Sequence, residues 1–278
     1  MKQFLAAVAA LCLTLPTGAL ANCGASEDAC EVAGGSYHAR LPEGPIKGAI
    51  LYLHGFGGSG EGALRSRGWS RTALARGYAV IAPDGLPIAE GRGRGWSFIP
   101  GRPERRDETV FLQAVRDDAA ARFGFEPGAV ILAGFSVGGS MTSYMACRAP
   151  QSFTAYAPVA GGFWRPHPTS CAGPVRLLHT HGWSDSTVPL EGRVLRGQDA
   201  RDPEALMQGD IPYTLAMWRE VNGCYQLRAD RFVTQGAFLR RAWDRCADDT
   251  ALEFALFPGG HVVPEGWADM MLDWYEGL

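Results

Sequence analysis

Short apolar runs alternate along the chain with longer segments of helical periodicity. Six runs rich in Val, Ile, Leu and Ala predict strands buried on both faces, since turn residues bound each of them. These runs are residues 49–53, 79–82, 130–133, 155–159, 175–178 and 252–257. Four segments predict helices, at residues 109–122, 137–147, 212–221 and 264–275. This alternation predicts an α/β fold with a mostly parallel central sheet and helices on both faces.

The first 21 residues have the pattern of a secretory signal peptide. Lys2 provides the positive start, residues 4–15 are mainly apolar, and small residues precede a cleavage site after Ala21. The apolar stretch is too short to favour a membrane span. We therefore expect a secreted or periplasmic protein whose mature part, residues 22–278, forms one domain.

Charge and cysteine content narrow the function classes further. The formal net charge is −3 and no basic stripe is present, so nucleic acid is not an expected partner. An even number of mature cysteines in an exported chain favours disulfides over catalytic thiols or a zinc site. Proximity along the chain favours pairs 23–30, 147–171 and 224–246, with free buried thiols as the alternative. The six cysteines are Cys23, Cys30, Cys147, Cys171, Cys224 and Cys246.

Ser136 follows the apolar run 130–133 in the sequence GFSVGG at residues 134–139. A buried strand that leads into G-x-S-x-G is typical of a nucleophilic serine on a sharp strand-to-helix turn. A Cβ at either flanking glycine would crowd the strand and helix that meet there. The N-terminus of the following helix directs free amides at developing negative charge.

A glycine-rich turn, HGFGG at residues 54–58, follows the first predicted strand. Such a turn can present a main-chain amide to the oxyanion of an acyl-transfer reaction. Phe56 or Gly57 is the expected first donor, and Val137 the second. A simple strand-to-helix turn is the alternative interpretation.

Two further strand ends carry the residues that would complete a catalytic triad. Asp185 lies in HGWSDSTVP, residues 181–189, and His261 in GGH, residues 259–261. The order Ser136, Asp185, His261 predicts a nucleophile, an orienting acid and a general base. His179 and His181 could form a metal pair, but no third ligand lies at useful spacing, so we expect no metal and no cofactor.

These motifs together resemble the secreted polyhydroxybutyrate depolymerase and feruloyl esterase family of α/β-hydrolases. The resemblance also includes Trp96 ahead of RDETVF at residues 106–111, and NGC at residues 222–224. It implies a serine esterase that acts on a polyester or a plant cell-wall ester, with Ser136, Asp185 and His261 as its triad.

The sequence therefore predicts a carboxylic-ester hydrolase acting on short-chain, hydroxyacyl or feruloyl-type esters. Trp96 and Trp183 lie near the motif loops and are expected to form an apolar wall for the substrate. A serine peptidase of the same fold and a non-catalytic secreted binding protein are the alternatives. Nothing in the pattern indicates an oligomeric state.

Overall fold

The computed structural model describes residue 23 and residues 28–65, 67–89, 91–195, 197–202 and 204–278. The predicted signal peptide lies outside these residues. Fifteen strands are found within them, numbered here in chain order. They are β1 (Cys30–Val32), β2 (Gly35–Arg40), β3 (Gly48–Leu53), β4 (Tyr78–Pro83), β5 (Leu86–Pro87), β6 (Arg94–Gly95), β7 (Val130–Phe135), β8 (Ala155–Val159), β9 (Trp164–Arg165), β10 (Arg176–Gly182), β11 (Arg193–Val194), β12 (Met207–Gln208), β13 (Arg231–Gln235), β14 (Phe238–Trp243) and β15 (Ala251–Phe257).

Six α-helices connect or flank these strands in the described part of the chain. They are α1 (Gly60–Arg65), α2 (Arg67–Ala75), α3 (Glu108–Phe123), α4 (Val137–Arg148), α5 (Ile211–Val221) and α6 (Trp267–Glu276). The four helices predicted from the sequence correspond to α3–α6. Helices α1 and α2 were not predicted.

Ten strands form the main sheet, in the order β1-β2-β4-β3-β7-β8-β10-β15-β14-β13. Its centre, from β4 to β15, is parallel, and β1, β2, β14 and β13 add antiparallel flanks. The six strands predicted from apolar runs are these six parallel strands. The predicted fold class is therefore confirmed.

Each face of the sheet is covered by its own helices. Leu51 and Leu53 of β3 pack in a core with residues of α3, α4 and α5. Ile50 and Tyr52 face the opposite side, where α1, α2 and α6 supply the packing partners. Because parallel strands point their carboxyl ends to the same edge, the loops after β3, β7, β10 and β15 meet there.

Three disulfides fix loops of the chain to the edge strand β1, to the end of α4 and to one another. They join Cys23 to Cys30, Cys147 to Cys171, and Cys224 to Cys246. These are the three pairs that proximity along the chain favoured. In the described residues we find no helix long and apolar enough to span a membrane.

We expect replacement of both Cys224 and Cys246 by Ser to lower the free energy of unfolding by about 3 kcal/mol. The bridge joins residues 22 apart, and opening such a loop increases the entropy of the unfolded chain. The Cys147→Ser/Cys171→Ser variant, with a separation of 24 residues, should lose a similar amount. Urea unfolding of both variants measures this, and an unchanged midpoint would contradict the expectation.

Candidate active site

Ser136 occupies the turn between β7 and α4 in an unusual backbone conformation. Its φ is 59° and its ψ is −121°, a region that L residues rarely adopt. The Ser136 amide donates a hydrogen bond to the Val159 carbonyl at the end of β8 (2.9 Å). The turn is thus fixed to the neighbouring strand.

The glycines around Ser136 are required by close main-chain contacts. A Cβ on Gly134 would lie 2.5 Å from the Gly138 carbonyl oxygen, and a Cβ on Gly138 would lie 2.2 Å from the Leu53 carbonyl oxygen. No larger residue fits without moving the helix away from the sheet. The structure thus confirms that a Cβ at Gly134 or Gly138 would clash where the strand and the helix meet.

The predicted triad residues lie within hydrogen-bond distance of one another. His261 Nε2 is 2.9 Å from Ser136 Oγ, and His261 Nδ1 is 2.7 Å from Asp185 Oδ2. A carboxylate only accepts, so Nδ1 carries the proton and Nε2 accepts from the serine hydroxyl. The Phe135 ring packs against the His261 ring with centroids 4.7 Å apart. This arrangement can remove a proton from Ser136.

The turn that carries Asp185 is fixed from two directions. Asp185 Oδ1 accepts hydrogen bonds from the amides of Thr187 and Val188, both at 2.8 Å. The Trp183 amide donates to the Phe257 carbonyl (2.9 Å), and the Ser184 amide donates to the Gly259 carbonyl (3.0 Å). The turn that carries Asp185 is therefore bonded to the loop that carries His261.

Two buried histidines in β10 support the same turn. His181 Nε2 lies 2.8 Å from the Val188 carbonyl oxygen, so this nitrogen carries a proton and donates. His181 Nδ1 then accepts from His179 Nε2, 3.1 Å away. Burial lowers the pKa of His181 below its ordinary value and that of His179 far below it. Both rings are neutral, and neither nitrogen of His181 is left for a metal.

Two amides of the glycine-rich turn, those of Gly57 and Gly58, already have main-chain acceptors, and the Gly58 amide donates to the Gly55 carbonyl (3.0 Å). The Gly57 amide donates to the Arg94 carbonyl (2.9 Å). It is therefore not free to bind an oxyanion, and the prediction of Gly57 as a donor is wrong. Among the described residues, the amides of Phe56 and Val137 have no hydrogen-bond acceptor. These two remain the candidate donors.

His54 and Trp96 hold this turn from behind. The Gly85 amide donates to His54 Nε2 (3.0 Å), and the Trp96 indole donates to the His54 carbonyl (2.9 Å). Burial lowers the pKa of His54, which keeps its Nε2 available as an acceptor. The segment between β4 and α3 thus positions the candidate oxyanion turn.

The two tryptophans predicted to contact substrate lie in different surroundings. Trp183 is 69% exposed beside Asp185, whereas Trp96 is only 7% exposed. Trp96 nevertheless lines a cavity of about 460 Å³ together with Phe56 and Val137. Sequence reasoning missed the supporting roles of His54, His179 and Phe135, and only their positions beside the motifs could have indicated them.

The chain matches the family model described as "Alpha/beta hydrolase family" over residues 50–273. It is 35% identical over 160 residues to "Putative esterase NocK" of Nocardia uniformis subsp. tsuyamanensis, covering 55% of this chain and 43% of that protein. It is 27% identical over 176 residues to feruloyl esterase C of Emericella nidulans, covering 59% of this chain and 60% of that protein. The chain thus spans about half the length of these relatives.

A poly(3-hydroxyalkanoate) depolymerase C from Paucimonas lemoignei is 28% identical over 175 residues, with coverage of 60% of this chain and 41% of that protein. Among solved structures, the acetyl xylan esterase from Aspergillus awamori aligns with a TM-score of 0.61 at 15% identity, covering 88% of this chain and 95% of that one. At that identity the structural likeness shows the fold alone.

We expect stability to fall on acidification partly because of His179. The unfolded imidazole binds a proton below about pH 6.5, whereas the buried one resists it, so the unfolded state binds more protons. The group's contribution to the free energy of unfolding is complete above about pH 6.5 and decreases as the pH falls, by at most about 1.4 kcal/mol per pH unit.

His179→Gln removes this titration but keeps a donor for His181. The free energy of unfolding, measured by urea between pH 7 and 5, should then depend less steeply on pH, by about one proton. His179→Leu should flatten the slope equally while lowering stability at pH 7, because His181 Nδ1 loses its donor. Slopes equal to that of the wild type would show that His179 titrates alike in both states.

Proposed function

Because the chain belongs to the alpha/beta hydrolase family, we propose that it is an exported serine carboxylic-ester hydrolase that works through an acyl-enzyme. The hydrogen-bonded series Ser136–His261–Asp185 carries the proposal, with distances of 2.9 and 2.7 Å. Relatives named as esterases and the free amides beside Ser136 support it.

In the proposed mechanism, Ser136 Oγ attacks the ester carbonyl while His261 Nε2 takes the hydroxyl proton. Asp185 holds the ring and stabilises its protonated form. The amides of Phe56 and Val137 donate to the oxyanion of the tetrahedral intermediate. His261 then protonates the leaving alcohol. In the second step His261 takes a proton from water, the water attacks the acyl carbonyl, and Ser136 leaves with the proton returned by His261.

We further propose short-chain, hydroxyacyl or feruloyl-type esters as substrates. Phe56, Trp183 and Val262 are all at least half exposed, and each lies in a loop that carries a proposed catalytic group. Exposed apolar side chains in the loops around Ser136 suit compact or aromatic acyl groups. The names feruloyl esterase C and poly(3-hydroxyalkanoate) depolymerase C among the relatives agree with this chemistry.

We also propose that the protein is exported and that its mature part forms a single catalytic domain. Three disulfides are typical of an oxidising compartment outside the cytosol. With a signal peptide at residues 1–21, the catalytic domain would comprise residues 22–278.

Ser136→Ala should lower kcat for p-nitrophenyl butyrate by about 10⁶-fold, and Asp185→Asn by about 10⁴-fold. The alanine removes the nucleophile, whereas the asparagine leaves it in place but changes the tautomer of His261. Release of p-nitrophenol by the purified wild type and by both variants gives the decrease in kcat. Thermal unfolding serves as the control for folding.

A fluorophosphonate probe gives an independent test of the nucleophile. It should label Ser136 in the wild type and leave the Ser136→Ala variant unlabelled. Peptide mass mapping identifies the labelled residue. Wild-type turnover in Ser136→Ala, or labelling at another residue, would contradict the proposed mechanism.

Trp183→Ala should reduce kcat/KM more for a feruloyl ester than for an acetyl ester, by roughly fivefold, because an exposed indole favours planar groups by stacking. Leu239→Ala, which truncates an exposed side chain on β14, is the control and should change neither value. Equal losses for both esters would remove Trp183 from the proposed substrate site.

A further inference from the structure

The cavity beside the candidate oxyanion turn combines an apolar interior with a charged mouth. Phe56 and Val137 line its side nearest Ser136, and Trp96, Phe98 and Ile88 also line it. Its volume of about 460 Å³ is within the range of small-molecule sites. A substrate bound to Ser136 can therefore extend a compact apolar part into it.

The charged residues that line this cavity are mostly arginines. Arg102, Arg105 and Arg148 are opposed by a single carboxylate, Glu104, within the described residues. Glu104 is already paired with Arg148, at 3.0 Å. The cavity mouth is thus positive although the whole chain carries a formal net charge of −3.

Two of these arginines remain able to bind an anion. Arg105 Nη1 donates to the Pro87 carbonyl (2.8 Å), a neutral acceptor that leaves its charge uncompensated. Among the described residues, the Arg102 side chain has no hydrogen-bond or ion-pair partner, and it is exposed at the mouth. A guanidinium offers paired donors that match a carboxylate.

We propose that the preferred substrates are esters that carry a free carboxylate, with the apolar part of the molecule in this cavity and the carboxylate at Arg102 and Arg105. This inference rests on the proposed esterase function and narrows its substrate class. Hydroxyacid oligomers with a free carboxyl end and hemi-esters of dicarboxylic acids both have this chemistry. They differ in whether the carboxylate belongs to the alcohol or to the acyl part.

Two matched pairs of substrates distinguish these two classes of ester. Mono-p-nitrophenyl glutarate and its methyl ester place the charge on the acyl part. 4-Butyryloxybenzoate and its methyl ester place it on the leaving alcohol. For each pair the measured quantity is the ratio of kcat/KM for the anionic ester to that for the neutral ester.

Arg102→Gln/Arg105→Gln should lower this ratio about tenfold for at least one pair, and Arg102→Glu should lower it further by repulsion. Comparison between variants cancels the intrinsic reactivity of the esters. The control is Arg71→Gln, an exposed arginine on α2, which packs against α6 on the other face of the sheet, and it should keep the wild-type ratio. Raising the NaCl concentration from about 10 mM to about 500 mM should lower the wild-type ratio, because salt screens exposed charges.

Binding to Ser136→Ala, measured by calorimetry, tests the site without turnover. The anionic ester of the preferred pair should bind about tenfold more tightly than the neutral one, and this difference should vanish in Ser136→Ala/Arg102→Gln/Arg105→Gln. Hydrolysis of the neutral esters with ratios unaffected by the arginine variants would overturn this inference alone. Absence of hydrolysis of all four esters by the wild type would instead overturn the proposed function.

Discussion

The close approach of α4 to the central sheet is the constraint on which the site depends. Gly138 lies so near the Leu53 carbonyl that a Cβ would be 2.2 Å from its oxygen. At this approach Ser136 has a positive φ, and the Val137 amide has no acceptor because it is the first amide of α4. The junction of β7 and α4 therefore positions both Ser136 and a candidate oxyanion donor.

Neutral buried histidines hold the loops around this turn. His54 accepts a main-chain hydrogen bond behind the glycine-rich turn, and His179 donates to His181 behind the turn that carries Asp185. Burial lowers the pKa of all three, so they act at neutral pH as fixed donors and acceptors. His261 differs because its two ring nitrogens contact Asp185 and Ser136, the partners that a proton-transferring histidine needs.

The sequence was most informative where burial leaves little freedom. The six parallel strands are buried on both faces, so their apolar runs stand out, and the motifs follow directly from their ends. The flanking β13 and β14 mix exposed arginines with apolar residues and have no such run. The choice between Phe56 and Gly57 depended on one main-chain hydrogen bond from Gly57 to Arg94. The two residues are far apart along the chain, so the sequence does not reveal this contact.

The segment between β4 and α3 joins the proposed substrate cavity to the candidate oxyanion turn. Its Gly85, Arg94 and Trp96 each bond to the glycine-rich turn, and the same segment supplies most of the cavity lining. A change in this segment that alters the cavity therefore also moves the turn that presents the Phe56 amide. Strand ends fix the proposed triad independently of this segment, since Ser136, Asp185 and His261 follow β7, β10 and β15. Substrate preference and oxyanion geometry are consequently coupled to each other more closely than either is to the triad.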